Sequence, residues 1–209
     1  MVRYELAIVK MHLNSELLFA KYGRKFIGSG IRLLEIGPDA FPSTYARLVN
    51  DETVSWDTLD MGDYGNLTYA KAGEYSFPIP NDSYDVVLAG QVLEHVKKIW
   101  VWVRELERVC KKGGYVILIN PVSAPFHQAP VDCWRVYPEG MRALLEDTNL
   151  RIIDTRFESL EAPGYRKYVP GVSAGGHSKK RWLFYRFAAP LLRFPVERSY
   201  DTITIAQKE

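Results

Sequence analysis

Three of the four histidines stand where an imidazole could exchange protons with a ligand. His95 lies in the sequence LEHV, His127 in APFHQAPVDCWR, and His177 in a glycine-rich stretch. The pKa of imidazole lies near neutral pH, so a histidine near the expected cleft is a candidate general acid or base. We take His127 as the base, with Asp132 as the carboxylate that orients it, and His95 as a further catalytic candidate. As alternatives, His127 and Asp132 belong to a hydrogen-bonded loop, and His95 bonds to the backbone where a helix begins.

Trp134 and Arg135 follow closely in the sequence and suit the recognition of a sugar. An indole face packs against the C–H face of a pyranose, and a guanidinium forks onto hydroxyl, carboxylate or phosphate groups. We therefore predict that both residues bind substrate; as an alternative, Trp134 is buried beneath the loop. The sequence indicates no metal site.

The sequence EIGPD at 35–39 follows a short apolar run and is a candidate cofactor loop. A dinucleotide fingerprint would read Gly-x-Gly-x-x-Gly, and only Gly37 fits it. Asp39 stands where the second glycine would approach a pyrophosphate, and its carboxylate would repel that anion. A cationic cofactor such as S-adenosylmethionine (SAM), with a sulfonium and an ammonium group, would instead be attracted by Glu35 and Asp39. An ordinary strand-to-helix turn is the alternative.

Apolar runs of strand length alternate with helical patterns along the chain. The predicted strands occupy 31–37, 52–57, 84–90, 115–120, 150–157 and 201–207. The predicted helices occupy 3–27 (within an N-terminal helical segment, 1–30), 43–50, 99–111 and 138–148. This order predicts an α/β fold with a mostly parallel sheet and helices on both faces. The last two runs are more polar, which indicates antiparallel strands at the sheet edge. Ligands of such sheets bind at the carboxyl ends of the strands.

The composition of the 209 residues is that of an ordinary globular protein, with 47% hydrophobic and 25% charged residues. A net charge of +2 is too balanced to indicate a nucleic-acid binder. Two cysteines cannot staple a domain of this size, which favours a reducing compartment. Neither a membrane-spanning apolar run nor a signal peptide is recognisable. We therefore expect a cytoplasmic protein, with the inner membrane surface as an alternative location.

Three blocks of the sequence together resemble the class I SAM-dependent methyltransferases. They are LLEIGP at 33–38, FPIPNDSYDVVLAGQVLEHV at 77–96 and KKGGYVILINP at 111–121. The middle block is similar to the small-molecule branch of the family, and the blocks follow in its order and spacing over roughly residues 31–121. The stretch PFHQAPVDCWRVYPEGMRALLE at 125–146 is similar to members associated with bacterial surface-polysaccharide biosynthesis. The resemblance implies a Rossmann-like, seven-stranded sheet in one domain that spans the chain.

By this resemblance, the end of the first strand holds the methionine part of SAM. Glu35 and Gly37, with Pro38 beside them, match the family's positions there. The family ends its second strand with an acid that bonds both ribose hydroxyls, a role that suits a carboxylate because it can accept two hydrogen bonds. We assign that role to Asp60, with Asp57 as the alternative; as a further alternative, both are ordinary surface acids.

The resemblance implies four further cofactor-binding residues. Glu74 and Tyr75 are the nearest candidates for the adenine site. Gln91 follows the predicted strand 84–90, where the family's chain passes the sulfonium. Tyr22 could close over the methionine moiety, with helix packing as its alternative role.

The segment 161–200 separates the last two predicted strands, which this family often joins by a short hairpin. It carries eight Lys or Arg residues and two Glu residues, a net charge of +6. Part of it, at 179–194, mixes basic and aromatic residues. The alternatives are a lid over the acceptor pocket, a peripheral contact with an anionic membrane and a homodimer contact, and we favour the first two.

These features predict a SAM-dependent methyltransferase that acts on a small molecule or glycan, through O-methylation of a sugar in surface-polysaccharide biosynthesis. The alternatives are a nitrogen, lipid or RNA acceptor, or a catalytically silent binding protein with this fold. Basic residues with interleaved aromatics could stack on RNA bases, but the near-neutral total charge argues against a nucleic-acid partner.

Overall fold

The computed structural model describes most of the chain. Its described residues are 12–124, 126–127, 131–161, 167–169, 172–175, 187–188, 191–192 and 199–209. The first part of the predicted helix 3–27, His177 and most of the segment 161–200, including most of 179–194, lie outside them.

The fold is built on a mostly parallel sheet. The strands, in chain order, are β1 (Arg32–Ile36), β2 (Ser55–Leu59), β3 (Tyr84–Gly90), β4 (Cys110–Pro121), β5 (Leu150–Glu158), β6 (Lys167–Val169), β7 (Val172–Gly175) and β8 (Asp201–Lys208). Six of them form one sheet in the order β2-β1-β3-β4-β8-β5, and β6 pairs with β7 separately. The strands β2, β1, β3 and β4 are parallel, and β8 is antiparallel to both β4 and β5. β5 therefore runs in the same direction as β4, and its carboxyl end lies at the same sheet edge.

The predicted α/β fold class is confirmed, with two differences. Among the described residues the main sheet has six strands and not seven. The antiparallel strand β8 lies inside the sheet between β4 and β5, whereas the sequence predicted it at the edge. Its residues 201–206 are all buried because both neighbouring strands and both sheet faces cover them. A polar contact inside the sheet explains part of its polar character, since the hydroxyl groups of Thr155 and Thr204 lie 2.9 Å apart.

Helices and short turns cover both faces of the sheet. α1 (Leu13–Leu18) continues into a short π-helix (Phe19–Gly23) and a 3-10 turn (Arg24–Phe26). The others are α2 (Thr44–Val49), α3 (Ile99–Val109) and α4 (Pro138–Leu145), and a 3-10 turn (Leu93–His95) follows β3. α3 ends two residues earlier than predicted because Cys110 is extended and pairs with Tyr84 in the sheet.

Alternate strand residues point to opposite faces, and each face has its own core. The face that carries α3 and α4 buries a cluster that includes Leu34, Val87, Trp102, Leu118 and Met141. The face that carries α1 and α2 buries a cluster that includes Phe19, Leu33, Tyr45, Val86 and Ile117. This double coverage accounts for the uninterrupted apolar runs of the central strands.

The beginning of α1 crosses the carboxyl edge of the sheet. Asn14 Nδ2 donates to the Asp201 Oδ2 atom at 2.7 Å and to the Glu158 carbonyl at 3.0 Å. Asn14 Oδ1 accepts from the Leu160 N–H at 2.8 Å. These bonds hold α1 over the end of β5 and the start of β8, beside the edge where a ligand of this fold binds.

Candidate active site

Glu35, one residue before the end of β1, is almost completely buried, with 1% of its surface exposed. Its Oε2 accepts hydrogen bonds from Ser43 Oγ at 2.5 Å and from Trp56 Nε1 at 2.8 Å. Its Oε1 is buried and has no hydrogen-bond partner among the described residues. Burial raises the pKa of Glu35 to about 7, although the two hydrogen bonds oppose this rise. One carboxyl oxygen is therefore fixed in place, and the other can accept a hydrogen bond from a ligand.

Gly37 turns the chain sharply after β1. Its φ is +68°, and a Cβ at this position would lie 2.6 Å from Val92 Cγ2, so only glycine fits without displacement. The Gly37 N–H donates to the Leu59 carbonyl at 2.9 Å, which ties the turn to the end of β2. Pro38 is buried next to it. The cofactor-loop prediction thus falls on a turn whose backbone is fixed on both sides.

Asp39 caps the start of α2. Its Oδ1 accepts from the Thr44 N–H at 2.8 Å, and its Oδ2 accepts from Thr44 Oγ1 at 2.6 Å. Ser43 is the N-cap residue, and its Oγ accepts from the Ala46 N–H at 3.0 Å. A carboxylate at a helix N-terminus is favourable because it satisfies backbone donors. The acid that departs from the family's glycine pattern therefore has a structural function in this loop.

Asp60 and Asp57 lie toward opposite edges of the sheet. Asp60 follows β2 directly, at the carboxyl edge, and its Oδ2 accepts from the Tyr64 hydroxyl at 2.8 Å. Asp57 lies in the middle of β2, where its Oδ2 accepts from Arg32 at 3.1 Å and from the Tyr84 hydroxyl at 2.8 Å. Arg32 begins β1 and Tyr84 begins β3, so Asp57 is held toward the amino ends of the strands. Of the two alternatives, only Asp60 lies at the edge that binds ligands.

Glu74 and Tyr75 connect the segment before β3 to the start of α3. Glu74 Oε1 accepts from the Lys97 N–H at 3.0 Å, and the Tyr75 hydroxyl accepts from the Lys98 N–H at 3.2 Å. The two predicted adenine-site residues are thus engaged with the backbone that precedes α3.

Gln91 and Tyr22 were both predicted near the methionine part of the cofactor. Gln91 follows β3 with a φ of +58°, and its Nε2 donates to Ser15 Oγ at 2.7 Å. Its Oε1 is buried and has no hydrogen-bond partner among the described residues. Tyr22 lies elsewhere, because its hydroxyl donates to Glu158 Oε2 at 2.5 Å at the end of β5. The structure therefore brings Gln91 to the centre of the carboxyl edge and Tyr22 to its end.

His95 and His127 meet at this edge although they are distant in sequence. Their rings contact edge to face, with centroids 5.1 Å apart. His95 Nδ1 lies 2.5 Å from the Val131 carbonyl oxygen, and burial lowers the pKa of His95. The His127 N–H donates to Asp132 Oδ2 at 2.8 Å, and His127 Nδ1 lies 3.5 Å from the same oxygen. The predicted pair of His127 and Asp132 is therefore adjacent, and His95 lies beside it.

Asp132 is held by the guanidinium group of Arg135. Arg135 Nη1 donates to Asp132 Oδ1 at 2.5 Å, and Nη2 donates to Oδ2 at 2.7 Å. Burial alone would raise the pKa of Asp132, but the Arg135 bonds and the His127 N–H hold it below its usual value. Arg135 Nε also donates to the Ala124 carbonyl at 3.3 Å. Arg135 was predicted to bind substrate, but both terminal nitrogens of its guanidinium group donate to Asp132 within the protein.

Trp134 is half-buried beneath the same loop. Its Nε1 donates to the Val96 carbonyl at 2.8 Å, and its ring meets the exposed ring of Trp100 edge to face at 6.1 Å. Its ring packs against the hydrophobic core on the sheet face that carries α3 and α4. The geometry corresponds to the alternative in which Trp134 is buried beneath the loop.

Sequence reasoning missed Glu94, which is completely buried next to His95. Neither of its carboxyl oxygens has a hydrogen-bond partner among the described residues, and Oε1 lies 3.7 Å from His95 Nε2. Burial raises the pKa of Glu94 to about 8. The signal was present in the sequence LEHV, where an acid and a histidine come a few residues after a buried strand.

Tyr45 marks a second feature that sequence reasoning missed, the nearness of acids from separate parts of the chain to one buried hydroxyl. Its ring is buried, and its hydroxyl lies against the backbone of Gly90 at the end of β3. Burial raises the pKa of Tyr45 well above its usual value, and the nearby carboxyl groups of Glu35, Asp201, Asp39 and Glu94 add to this effect. Acids from three different segments therefore converge on the carboxyl edge, where they favour a cationic ligand.

Sequence comparisons relate the central part of this chain to methyltransferases. The family described as "Methyltransferase domain" matches residues 38–118. A relative named "Uncharacterized methyltransferase" from Mycolicibacterium vanbaalenii is 34% identical over 99 residues, which cover 43% of this chain and 39% of the relative. A ubiquinone/menaquinone biosynthesis C-methyltransferase of Coxiella burnetii is 30% identical over 70 residues, which cover 32% of this chain and 28% of the relative. The chain thus aligns with less than half the length of these curated relatives.

Solved structures with this fold include several SAM-dependent methyltransferases. One from Archaeoglobus fulgidus superposes with a TM-score of 0.60 at 17% identity and covers 92% of both chains. A phosphoethanolamine N-methyltransferase of Haemonchus contortus, solved with S-adenosylhomocysteine, superposes with a TM-score of 0.58 at 13% identity over 94% of this chain and 53% of that chain. The predicted methyltransferase fold is confirmed. The family match over residues 38–118 is in agreement with the prediction that SAM is the cofactor.

The described part of the chain contains no helix that is both long and apolar enough to cross a membrane.

Proposed function

We propose that this chain is a SAM-dependent methyltransferase whose acceptor is a hydroxyl group of a small molecule or glycan. The observation that carries the proposal is the burial of Glu35, Glu94 and Asp201 at the carboxyl edge of a sheet whose residues 38–118 match a methyltransferase family. Glu35 and Glu94 are buried groups, with pKa values raised to about 7 and about 8. A cationic ligand would stabilise their ionised forms, whereas a phosphate-bearing dinucleotide would be repelled.

The residues at the ends of β1, β2 and β3 fit this cofactor. Buried oxygens of Glu35 and Gln91 have no hydrogen-bond partner among the described residues, and each can accept a bond from an ammonium group. Asp60 lies where a carboxylate could bind both hydroxyls of a ribose, and Gly37 allows the backbone to approach the ligand closely. SAM supplies a methyl group on a sulfonium, and the neutral thioether that leaves needs no general acid.

We propose that His127 is the base that accepts the proton of the acceptor's hydroxyl group. Asp132 orients its ring through Nδ1, and Arg135 fixes Asp132 with a forked pair of hydrogen bonds. We take Nε2 as the nitrogen that receives the proton, while the carboxylate of Asp132 stabilises the resulting imidazolium. His95 packs against the His127 ring and limits its rotation.

An aromatic surface supports a glycan as the acceptor, in line with the sequence similarity to members associated with surface-polysaccharide biosynthesis. Tyr137 and Phe157 are both exposed, and their rings lie 5.2 Å apart. Phe157 also stacks on Tyr200 at 5.1 Å. Exposed aromatic faces pack well against the C–H faces of sugars. Phe126, beside His127, adds a further exposed ring.

We also propose, as a prediction from the sequence alone, that the basic segment 161–200 acts as a lid or contacts an anionic membrane surface through 179–194; most of this segment lies outside the described residues. Its net charge of +6 supports this proposal. A homodimer contact through the same segment remains the alternative proposal.

Transfer of label from radioactive SAM to nucleotide sugars and oligosaccharides tests the function. We expect label in a hydroxyl-bearing glycan, as an ether that survives mild base. His127→Ala should lower turnover by about 10²–10⁴-fold with unchanged affinity for S-adenosylhomocysteine, because only the base is removed. Arg142→Ala is the control and should keep full turnover, since this exposed side chain pairs with Glu139 on the surface of α4. Full activity of His127→Ala would remove its assignment as the base.

A further inference from the structure

We propose that Glu94, His95 and His127 form a binding site for a divalent metal ion such as Zn²⁺. Sequence reasoning predicted no metal here, because the ligands come from two distant segments. One ligand atom from each residue lies within 4.8 Å of the other two. A carboxylate with two imidazoles is a ligand set of catalytic zinc and of non-haem iron sites.

The three side chains are close enough for small movements to complete the site. Zinc bonds of about 2.0–2.1 Å in a tetrahedron place ligand atoms about 3.4 Å apart. The ligand atoms here, within 4.8 Å of one another, must therefore approach by at most about 1.4 Å. Small side-chain rotations would achieve this, because His95 Nε2 and Glu94 Oε1 are already 3.7 Å apart.

Both imidazoles have the outer partners that metal-binding histidines use. His95 Nδ1 lies 2.5 Å from the Val131 carbonyl, so it donates there and presents Nε2 to a metal. His127 Nδ1 lies 3.5 Å from Asp132 Oδ2, which forms a carboxylate–histidine pair with Nε2 as the nitrogen that would bind the metal. The Cys133 N–H donates to the Glu94 carbonyl at 2.7 Å and ties the two ligand-bearing loops together.

The Glu94 carboxylate is an independent indication of a cation. It is completely buried, and neither oxygen has a hydrogen-bond partner among the described residues. A buried carboxyl group without such partners is costly, and a metal ion would supply both the opposite charge and the missing bonds. The described residues give this side chain no hydrogen bond that would assign it a structural function.

Three protein ligands leave a coordination position open for water or for an acceptor oxygen. This position would lie within the acceptor side of the site, and a metal-bound His127 would no longer be available as the base. With the metal bound, His127 serves as a ligand, and the metal lowers the pKa of the oxygen that it binds. Metal binding itself does not depend on the proposed methyltransferase function.

Calorimetric titration of the full chain with Zn²⁺, after removal of metals by a chelator, tests the site. We expect one ion per chain, and Co²⁺ bound in its place should show the visible absorption of a four- or five-coordinate site. Glu94→Gln keeps the shape of the side chain and should weaken Zn²⁺ binding about 100-fold or more, as should His127→Ala. Asp132→Asn should weaken it about 10–100-fold through the outer partner.

Cys133→Ser is the matched control, because this exposed thiol adjoins Glu94 and could bind zinc adventitiously. Its Zn²⁺ affinity should equal that of the unaltered chain. The proposal is overturned if the unaltered chain binds no Zn²⁺, if Glu94→Gln and His127→Ala bind it equally well, or if Cys133→Ser abolishes binding. Circular dichroism confirms that each variant is folded. Titration of the same samples with S-adenosylhomocysteine separates the two proposals. A sample that binds no Zn²⁺ can still bind S-adenosylhomocysteine, and a sample that binds no S-adenosylhomocysteine can still bind Zn²⁺.

Discussion

Replacement of Gly37 by alanine tests the turn that brings β1 to the cofactor. A left-handed backbone costs an alanine about 1–2 kcal/mol relative to a right-handed one, and Gly37 has a φ of +68°. The new Cβ would lie 2.6 Å from Val92 Cγ2, whereas carbon atoms pack best at about 3.5–4.0 Å. Valine cannot rotate away easily, and such overlap typically costs about 1–3 kcal/mol. We therefore expect Gly37→Ala to lower the free energy of unfolding by about 2–5 kcal/mol, measured by urea denaturation.

Gly113→Ala is the matched control, because Gly113 has a φ of +80° but no atom within 4 Å of the added Cβ. It should lose only the backbone contribution of about 1–2 kcal/mol. Combining Gly37→Ala with Val92→Ala removes the colliding methyl group and should recover about 1–3 kcal/mol relative to the sum of the single changes. Equal losses in Gly37→Ala and Gly113→Ala, or strict additivity with Val92→Ala, would refute this reasoning.

Two further predictions concern acids and their partners. Because the pKa of Glu35 is about 7 in the folded chain and lies near 4.5 otherwise, its ionisation should lower the free energy of unfolding by about 3 kcal/mol as the pH rises from 4.5 to 7. Glu35→Gln should remove this part of the pH dependence in urea denaturation, and an unchanged profile would contradict the burial argument. Tyr22→Phe should cost about 1 kcal/mol of stability through the lost bond to Glu158 but leave the affinity for S-adenosylhomocysteine unchanged. Weaker binding would return Tyr22 to the cofactor site.

The strands could be predicted from the sequence because a parallel sheet covered on both faces needs continuous apolar runs. The run at 84–90 matches β3 at both ends. The position of β8 could not be predicted, since its alternating Thr and Ile residues are typical of an edge strand. Only the pairing with both β4 and β5 shows that it lies inside the sheet. Sheet order depends on contacts between distant segments, which local patterns do not encode.

The candidate site was predictable where chemistry follows the end of a strand. His127 and Asp132 are adjacent as expected, because they share one loop. The choice between Asp57 and Asp60 required the register of β2, which sets the end of the sheet at which each acid lies. Glu94 was missed because its burial arises from the packing of two loops. The cap formed by Asp39 depends on a side-chain conformation that the glycine pattern did not suggest.

Calorimetric titration with S-adenosylhomocysteine tests the central claim, that the carboxyl edge of this sheet binds the cofactor. We predict micromolar binding to the unaltered chain. Asp60→Ala should bind about 10–100-fold more weakly, because a charged hydrogen-bond acceptor for the ribose is lost. Absence of binding by the folded, unaltered chain would contradict the claim and favour a catalytically silent binding protein. Binding that is equally tight in Asp60→Ala would remove this acid from the site.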